Sequence, residues 1–341
     1  MRVLLTRSAF DRFSRILLDG IPPEVEWLCI GDGGTLTDAA GAPAHSDGVS
    51  VAWASTDLLY GDARAPFVNI VETSATMRWL QSGYAGLDFP VYRPLLERGA
   101  VVTTSHVNAV AIAEYVLGAV LRHYQRPDEW ADAQRRTEWR HHEFRELYAS
   151  RWLVIGVGAI GSAVAARARA FGAHVDGVRR TPSGAEPVDR MLTPADIPEA
   201  LPRADVVVLA LPATRDTTAL VDAAFLARMR PGSVLVNIAR GSLVDEDALV
   251  RALDSGPLEH AILDVFDQEP LPPSSPLWRH PNITITPHAS AAGLGRHERN
   301  AHLFHDNLVR FLAGEEPHGA ITLAAVLAAR GADAPAQFKE S

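Results

Sequence analysis

Three short segments in the second half of the chain carry side chains that could handle a small anionic carbonyl compound. Asn237-Ile238-Ala239-Arg240-Gly241-Ser242-Leu243-Val244-Asp245 offers a guanidinium. Asp264-Val265-Phe266-Asp267-Gln268-Glu269-Pro270 offers a carboxylate, and Thr286-Pro287-His288-Ala289-Ser290 an imidazole. Arginine grips a carboxylate through paired hydrogen bonds, and histidine exchanges a proton readily near neutral pH. Taken singly, Arg240 reads as a surface cation, Glu269 as a turn residue before proline and His288 as a loop histidine after one. Brought together, the three suit the reduction of a 2-keto acid.

A fourth segment supplies a place for a nucleotide. Gly156-Val157-Gly158-Ala159-Ile160-Gly161 follows the apolar run Trp152-Leu153-Val154-Ile155 and opens an alanine-rich helix, Ser162 to Ala170. G-x-G-x-x-G alone is a weak signal, but in a strand–turn–helix context each glycine has a role. The first permits a tight turn, the second lets a pyrophosphate approach the backbone, and the third lets helix and strand pack. The helix N-terminus then turns N–H groups and the positive dipole end toward the phosphates.

Parallel strands must position these segments, because each lies just past an apolar run, on the edge where open α/β sheets bind ligands. The runs are Trp152–Ile155, Ala173–Val178, Val206–Ala210, Val234–Asn237, Ala261–Asp264 and Ile283–Thr286; their near-continuous apolar content suits burial on both faces. Earlier in the chain Val3–Thr6, Val25–Ile30, Val49–Ala54, Met77–Gln81 and Val101–Thr104 read as a second series, separated by turn formers. A long apolar-rich helix is expected from Ala109 to Tyr124 and a further helical pattern from Arg296 to Ala313, while Arg126 to Tyr148 reads as surface helix and connector, with His141 and His142 on the surface. The fold class is α/β.

A chain of 341 residues accommodates two domains, and a net charge of −9 argues against a nucleic-acid or anionic-membrane partner. The one cysteine, Cys29, cannot form an intrachain disulfide, which fits a reducing, cytoplasmic setting. The N-terminus reads as a first strand, not a signal peptide, and no apolar run approaches the roughly 18 residues that cross a bilayer. No His, Cys or acid cluster has metal-ligand spacing, so no metal is expected.

From Met1 to Gly314 the chain resembles the D-2-hydroxyacid dehydrogenase family, in particular its glyoxylate/hydroxypyruvate reductases. The carriers are N-x-A-R-G-x-x-V-D, D-V-F-x-x-E-P and T-P-H, behind the glycine loop, with Leu211-Pro212-Ala213-Thr214 as an L-P-x-T loop. The resemblance implies an NAD(P)-dependent oxidoreductase with Arg240, Glu269 and His288 as its catalytic set. Arg240 would hold the substrate carboxylate and polarise the keto oxygen, His288 would give a proton, and Glu269 would orient the ring and favour its charged form. It implies two doubly wound parallel-sheet domains: a Rossmann-type cofactor domain at 105–289, inserted into a flavodoxin-like substrate domain of 1–104 and 290–320. A hinge at the two crossings would close the active site between them. The tail, 324–341, is expected to be partly disordered.

Backbone N–H groups of the Gly83-Tyr84-Ala85-Gly86 loop would join Arg240 on the substrate, so Tyr84, Ala85 and Gly86 are expected substrate contacts, and Trp53 could face the same site or the core. Cofactor contacts are expected from Gly156, Gly158, Ala159, Ile160, Gly161, Leu211, Pro212, Thr217, Ile238, Ala239 and Asp264. Simple spacing points to Asp176 as the acid that holds an NAD ribose. The family's acid falls instead at the strand tip, where this chain has Arg179, Arg180 and Thr181. Two guanidiniums and a hydroxyl suit a 2′-phosphate, which predicts NADP in preference to NAD. A homodimer is implied through Ala109–Arg122 and the charged segment after it. Competing readings are a formate-, phosphite- or phosphoglycerate-type dehydrogenase of the same architecture, or a non-catalytic nucleotide-binding scaffold.

Overall fold

Short runs of Val, Leu and Ile form strands that are buried on both faces, and they assemble into two separate sheets. The computed structural model describes residues 1–58, 61–87 and 89–329. Two units divide the described residues, one of Met1–Asn108 with residues 294–329, the other of Ala109–Gly293.

The first unit holds β1 (Arg2–Thr6), β2 (Glu26–Ile30), β3 (Leu36–Asp38), β4 (Val49–Ala54), β5 (Trp79–Ser82) and β6 (Val101–Thr103), in the order β3-β2-β1-β4-β5-β6. All neighbours are parallel except β2 and β3. Without that edge strand the order is the flavodoxin-like one. The sequence reading did not foresee β3. Only residues 31–35 connect it to β2, and so short a link permits a hairpin but no parallel crossover.

Side chains alternate between two helix layers. Leu4 and Ala52 pack with Phe67, Tyr92 and Leu95; Val3, Leu5, Val51 and Trp53 pack with Phe10, Leu17, Phe304 and Leu308. Phe304, from the helix Arg296–Leu312, stacks on Trp53 at 5.0 Å and on Trp79 at 5.3 Å. Trp53 is therefore a core residue rather than a pocket residue, and its indole N–H donates to Asn300 at 3.3 Å.

The second unit holds β7 (Arg151–Ile155), β8 (His174–Val178), β9 (Arg190–Leu192), β10 (Val206–Leu209), β11 (Ser233–Asn237), β12 (Leu258–Leu263) and β13 (Ile283–Ile285). All are parallel, in the order β13-β12-β11-β10-β7-β8-β9. Strand order reverses between β7 and β10, the switch point where doubly wound sheets bind ligands at the carboxyl ends. The apolar stripe of the helix Ala109–Gln125 (Ile112, Ala113, Val116, Leu117, Val120) is buried in this unit's own core with Val164, Ala165 and Ala168 of the helix Ala159–Ala170. That helix starts three residues earlier than expected, directly after Gly158.

Two further features depart from the sequence reading. The crossings fall at 108/109 and 293/294 rather than at 104/105 and 289/290. Residues 104–107 are held in the first unit, by Thr104 N–H to Gly319 O at 3.0 Å, Ser105 N–H to Tyr84 O at 2.9 Å and Arg299 Nε to Val107 O at 3.1 Å. Gly293 lies against Ala111 in the second unit, where an added Cβ would come within 2.7 Å of the alanine Cβ. The tail begins as a helix, Leu323–Ala329, whose Val326 is fully buried in the first unit's core; the last ten or so residues, the part expected to be loose, lie outside the described residues. Finally, His142 is folded inward, stacked on Trp130 at 4.4 Å and bonded to Gln125 O at 3.0 Å.

The stack centred on Phe304 generates a prediction. Phe304→Ala should destabilise the protein by about 3–5 kcal/mol, through lost burial and a cavity that two tryptophans cannot fill. Chemical denaturation followed by tryptophan fluorescence checks it.

Candidate active site

Strands β11, β12 and β13 are neighbours, so the segments that follow them emerge side by side. The anchor is Asp264, immediately past β12 and 0% exposed. Its carboxylate accepts from Thr286 Oγ1 at 2.6 Å, Ala289 N at 2.8 Å and Ser290 N at 3.0 Å, and its carbonyl accepts the His288 N–H at 2.8 Å. Tyr115 OH lies 2.7 Å from Thr286 Oγ1 and extends the network. This holds the turn with His288 at φ +51°, a conformation non-glycine residues adopt only under outside constraint. The carboxylate of Asp264, expected among the cofactor contacts, faces the 286–290 turn.

Across this turn His288 Nδ1 lies 2.8 Å from Glu269 Oε2, while Glu269 Oε1 accepts the Phe266 N–H at 3.0 Å. Burial alone would raise the Glu269 carboxyl. The hydrogen bond and charge of His288, the Phe266 N–H and the Arg240 charge outweigh it and hold the group below its ordinary value. The carboxylate is therefore ionised at neutral pH, and Nδ1 of His288 is committed to it.

Arg240 reaches the same place because Gly241 allows it. A Cβ on Gly241 would fall 1.8 Å from the Phe266 carbonyl carbon, so only glycine lets the two loops meet. Asn237, a residue the sequence reading passed over, braces the loop: its Nδ2 donates to Arg240 O at 2.9 Å and its Oδ1 accepts from Ala239 N at 3.1 Å. Arg240 Nη1 donates to Ala239 O at 2.8 Å. Ile238 and Ala239 are buried on opposite faces of the sheet, so their backbone is what they can offer a ligand.

The glycine loop fits a dinucleotide. Gly156 takes φ +99° and touches the β10 exit, where a Cβ would sit 2.5 Å from Ala210 O. By contrast, a Cβ on Gly158 would meet nothing within 4 Å, which leaves that backbone open to a pyrophosphate just before the helix containing Ala159, Ile160 and Gly161. Just beyond the L-P-x-T segment, Thr217 is a loop strut. Its Oγ1 donates to Pro212 O at 3.0 Å and accepts from Thr214 N at 2.8 Å, while Leu211 packs on the core.

At the β8 tip, Asp176 sits inside the strand and is held by Arg190 at 2.7 Å. Beyond the tip Arg179 Nη1 donates to Glu186 Oε1 at 2.7 Å, whereas Arg180 and Thr181 are exposed. Nothing in the sequence marked Glu186. In the first unit the Gly83 and Tyr84 N–H groups are already bonded, to Ala54 O at 2.8 Å and Ser82 Oγ at 3.2 Å, and Tyr84 OH donates to Thr56 O at 2.8 Å. Of the four N–H groups expected to meet a carboxylate, two are thus taken.

A doubly wound sheet with a glycine loop at its switch point, and arginine, glutamate and histidine at its carboxyl edge, defines a dinucleotide-binding oxidoreductase. The family model for the D-isomer specific 2-hydroxyacid dehydrogenase NAD-binding domain matches residues 117–290. A glyoxylate/hydroxypyruvate reductase A of Serratia proteamaculans is 34% identical over 62% of this chain and 67% of its own length. A D-3-phosphoglycerate dehydrogenase of Mycobacterium leprae is 33% identical over 86% of this chain but 53% of its own. The structure of a D-isomer specific 2-hydroxyacid dehydrogenase from Xanthobacter autotrophicus Py2 in complex with NADPH and MES aligns with a TM-score of 0.73 and 28% identity, covering 95% of this chain and 98% of that one. The chain belongs to the D-isomer specific 2-hydroxyacid dehydrogenase family, whose members are NAD(P)-dependent oxidoreductases. No helix among the described residues is long and apolar enough to cross a membrane.

The depressed Glu269 carboxyl sets a pH dependence of stability. A carboxylate favoured in the folded state stabilises it above the unfolded-state value, and that contribution is lost as pH falls through the folded value. Glu269→Gln should melt below wild type at neutral pH, with the gap closing as the acid range is entered. Melting curves of both proteins across that range check it.

Proposed function

We propose that the protein reduces a small 2-keto acid of the glyoxylate or hydroxypyruvate type to the D-2-hydroxy acid, with NADPH preferred over NADH. The observation that carries this reading is the His288–Glu269 pair, 2.8 Å apart, beside the Arg240 loop at the carboxyl edge of one sheet. Arg240 would grip the substrate carboxylate and polarise the keto oxygen. Because Nδ1 is committed to Glu269, His288 would act through Nε2. It gives its proton to the keto oxygen as the carbonyl carbon gains a hydride, so C=O becomes CH–OH and the imidazole is left neutral. The nicotinamide cofactor, when bound, supplies that hydride. Gly156, Gly158, Gly161 and the N-terminus of the helix Ala159–Ala170 would hold its pyrophosphate, and the β8 tip would receive a 2′-phosphate. The Serratia relative supports the substrate class and the Xanthobacter structure the cofactor. The Mycobacterium relative favours a second reading, oxidation of a phosphoglycerate.

Steady-state kinetics separates these readings. Glyoxylate and hydroxypyruvate should turn over with a lower KM for NADPH than for NADH, while 3-phosphoglycerate with NAD or NADP should give little. His288→Ala should lower kcat by at least about 100-fold with cofactor affinity unchanged; unaltered turnover would remove His288 from the mechanism. Glu269→Gln should lower kcat as well, because the carboxylate that holds the His288 ring through Nδ1 is gone.

We further propose a homodimer through the second unit. The buried stripe of Ala109–Gln125 is not available to it, so the contact falls to that helix's outer face and to the segment carrying the fully exposed Trp139. Light scattering at micromolar concentration should give twice the chain mass, and Trp139→Ala should shift the equilibrium toward monomer.

A further inference from the structure

The loop beyond β8 is closed on itself by one carboxylate. Glu186 Oε1 accepts from Arg179 Nη1 at 2.7 Å, Ser183 N at 2.7 Å and Ser183 Oγ at 2.8 Å, and Oε2 accepts from Gly184 N at 2.9 Å. The Glu186 side chain is only 4% exposed, against 41% for Arg179. The Ser183 N–H leads the donors that pull its carboxyl down to about 2, outweighing burial, so it stays anionic across any working pH. The loop base is fixed as well, since Arg179 N–H donates to Leu192 O at 3.1 Å on β9. Arg180 and Thr181 stand at the exposed crest, and among the described residues Arg180 forms no ion pair.

Adjacent arginines of the same type therefore have different work. A guanidinium that already neutralises a nearly buried carboxylate can give little charge to a ligand, whereas its exposed neighbour retains all of its own. The brace also removes freedom that the loop would otherwise lose on binding, which is how a preordered site gains affinity.

We propose that Glu186 is a positioning residue for cofactor choice: it uses Arg179 as a strut and thereby presents Arg180 and Thr181 to the phosphate monoester of the cofactor's adenosine. This rests on the NADPH reading above and assigns which side chains carry it.

Calorimetric titration of the full-length protein with adenosine 2′,5′-bisphosphate and with 5′-AMP tests the assignment without turnover. Arg180→Ala should weaken the bisphosphate by at least about tenfold. Glu186→Gln, which keeps the shape but not the four-acceptor charge, should weaken it about threefold, and Glu186→Ala more. Binding of 5′-AMP and KM for NADH should stay unchanged in all three, a split that a merely structural role would not produce. Arg179→Ala should resemble Glu186→Gln rather than Arg180→Ala. The assignment is overturned if Glu186→Gln tightens bisphosphate binding, leaves it unchanged, or weakens both nucleotides equally. It is equally overturned if Arg179→Ala costs as much as Arg180→Ala. Wild-type protein that binds the two nucleotides alike would instead refute the NADPH reading, and the inference with it.

Discussion

The buried carboxylate of Asp264 is the constraint on which the rest of the site depends. It leaves β12 in the middle of the carboxyl edge and captures the turn that follows β13 through one hydroxyl and two backbone N–H groups. Hydrogen bonds to a charged group are worth about 1.5–3 kcal/mol each, enough to hold His288 at an unfavourable positive φ. The imidazole is then delivered to Glu269, and Glu269 sits within the influence of Arg240. Were Asp264 neutral and apolar, the turn would have no reason to keep this shape, because loops gain little from burial and much from satisfied backbone polar groups.

The same logic recurs around the unit. Asp176 holds Arg190, Glu186 holds Arg179, Glu269 holds His288 and Asp264 holds the turn. These acidic side chains thus serve as internal partners that fix geometry. The groups suited to meeting anionic ligands are cations, a helix N-terminus and backbone N–H groups. This reconciles a chain of net charge −9 with a site for keto acids and phosphates: the sign of the whole surface says little about the field inside one pocket.

Glycine has the complementary role. Gly156 and Gly241 mark where two backbones touch, the first against the β10 exit and the second against the β12 loop. Each removes a side chain so that segments distant in sequence can lie at van der Waals contact. Together with Asn237, they turn three independent strand ends into one constellation.

Much of this was legible in the sequence because it is written in local or periodic signals. Apolar runs marked the interior strands, the strand–turn–helix context of Gly156–Gly161 marked the nucleotide loop, and three ordered motifs named Arg240, Glu269 and His288. The short edge strands β3 and β9 were not legible, since three-residue pairings at a sheet margin carry no periodicity. Partners were the other gap. Whether Trp53 faced a pocket or a core depended on where Phe304 arrived, some 250 residues later in the chain. Nothing in sequence order tied Asp264 to the 286–290 turn, and Arg179 looked equivalent to Arg180 until Glu186 closed on it. Residue type and spacing determined which chemical groups the protein owns and the strand ends that carry them. Only the tertiary structure decided which of those groups are committed to one another, because hydrogen-bond commitment is a matter of distance in space and leaves no trace in sequence order.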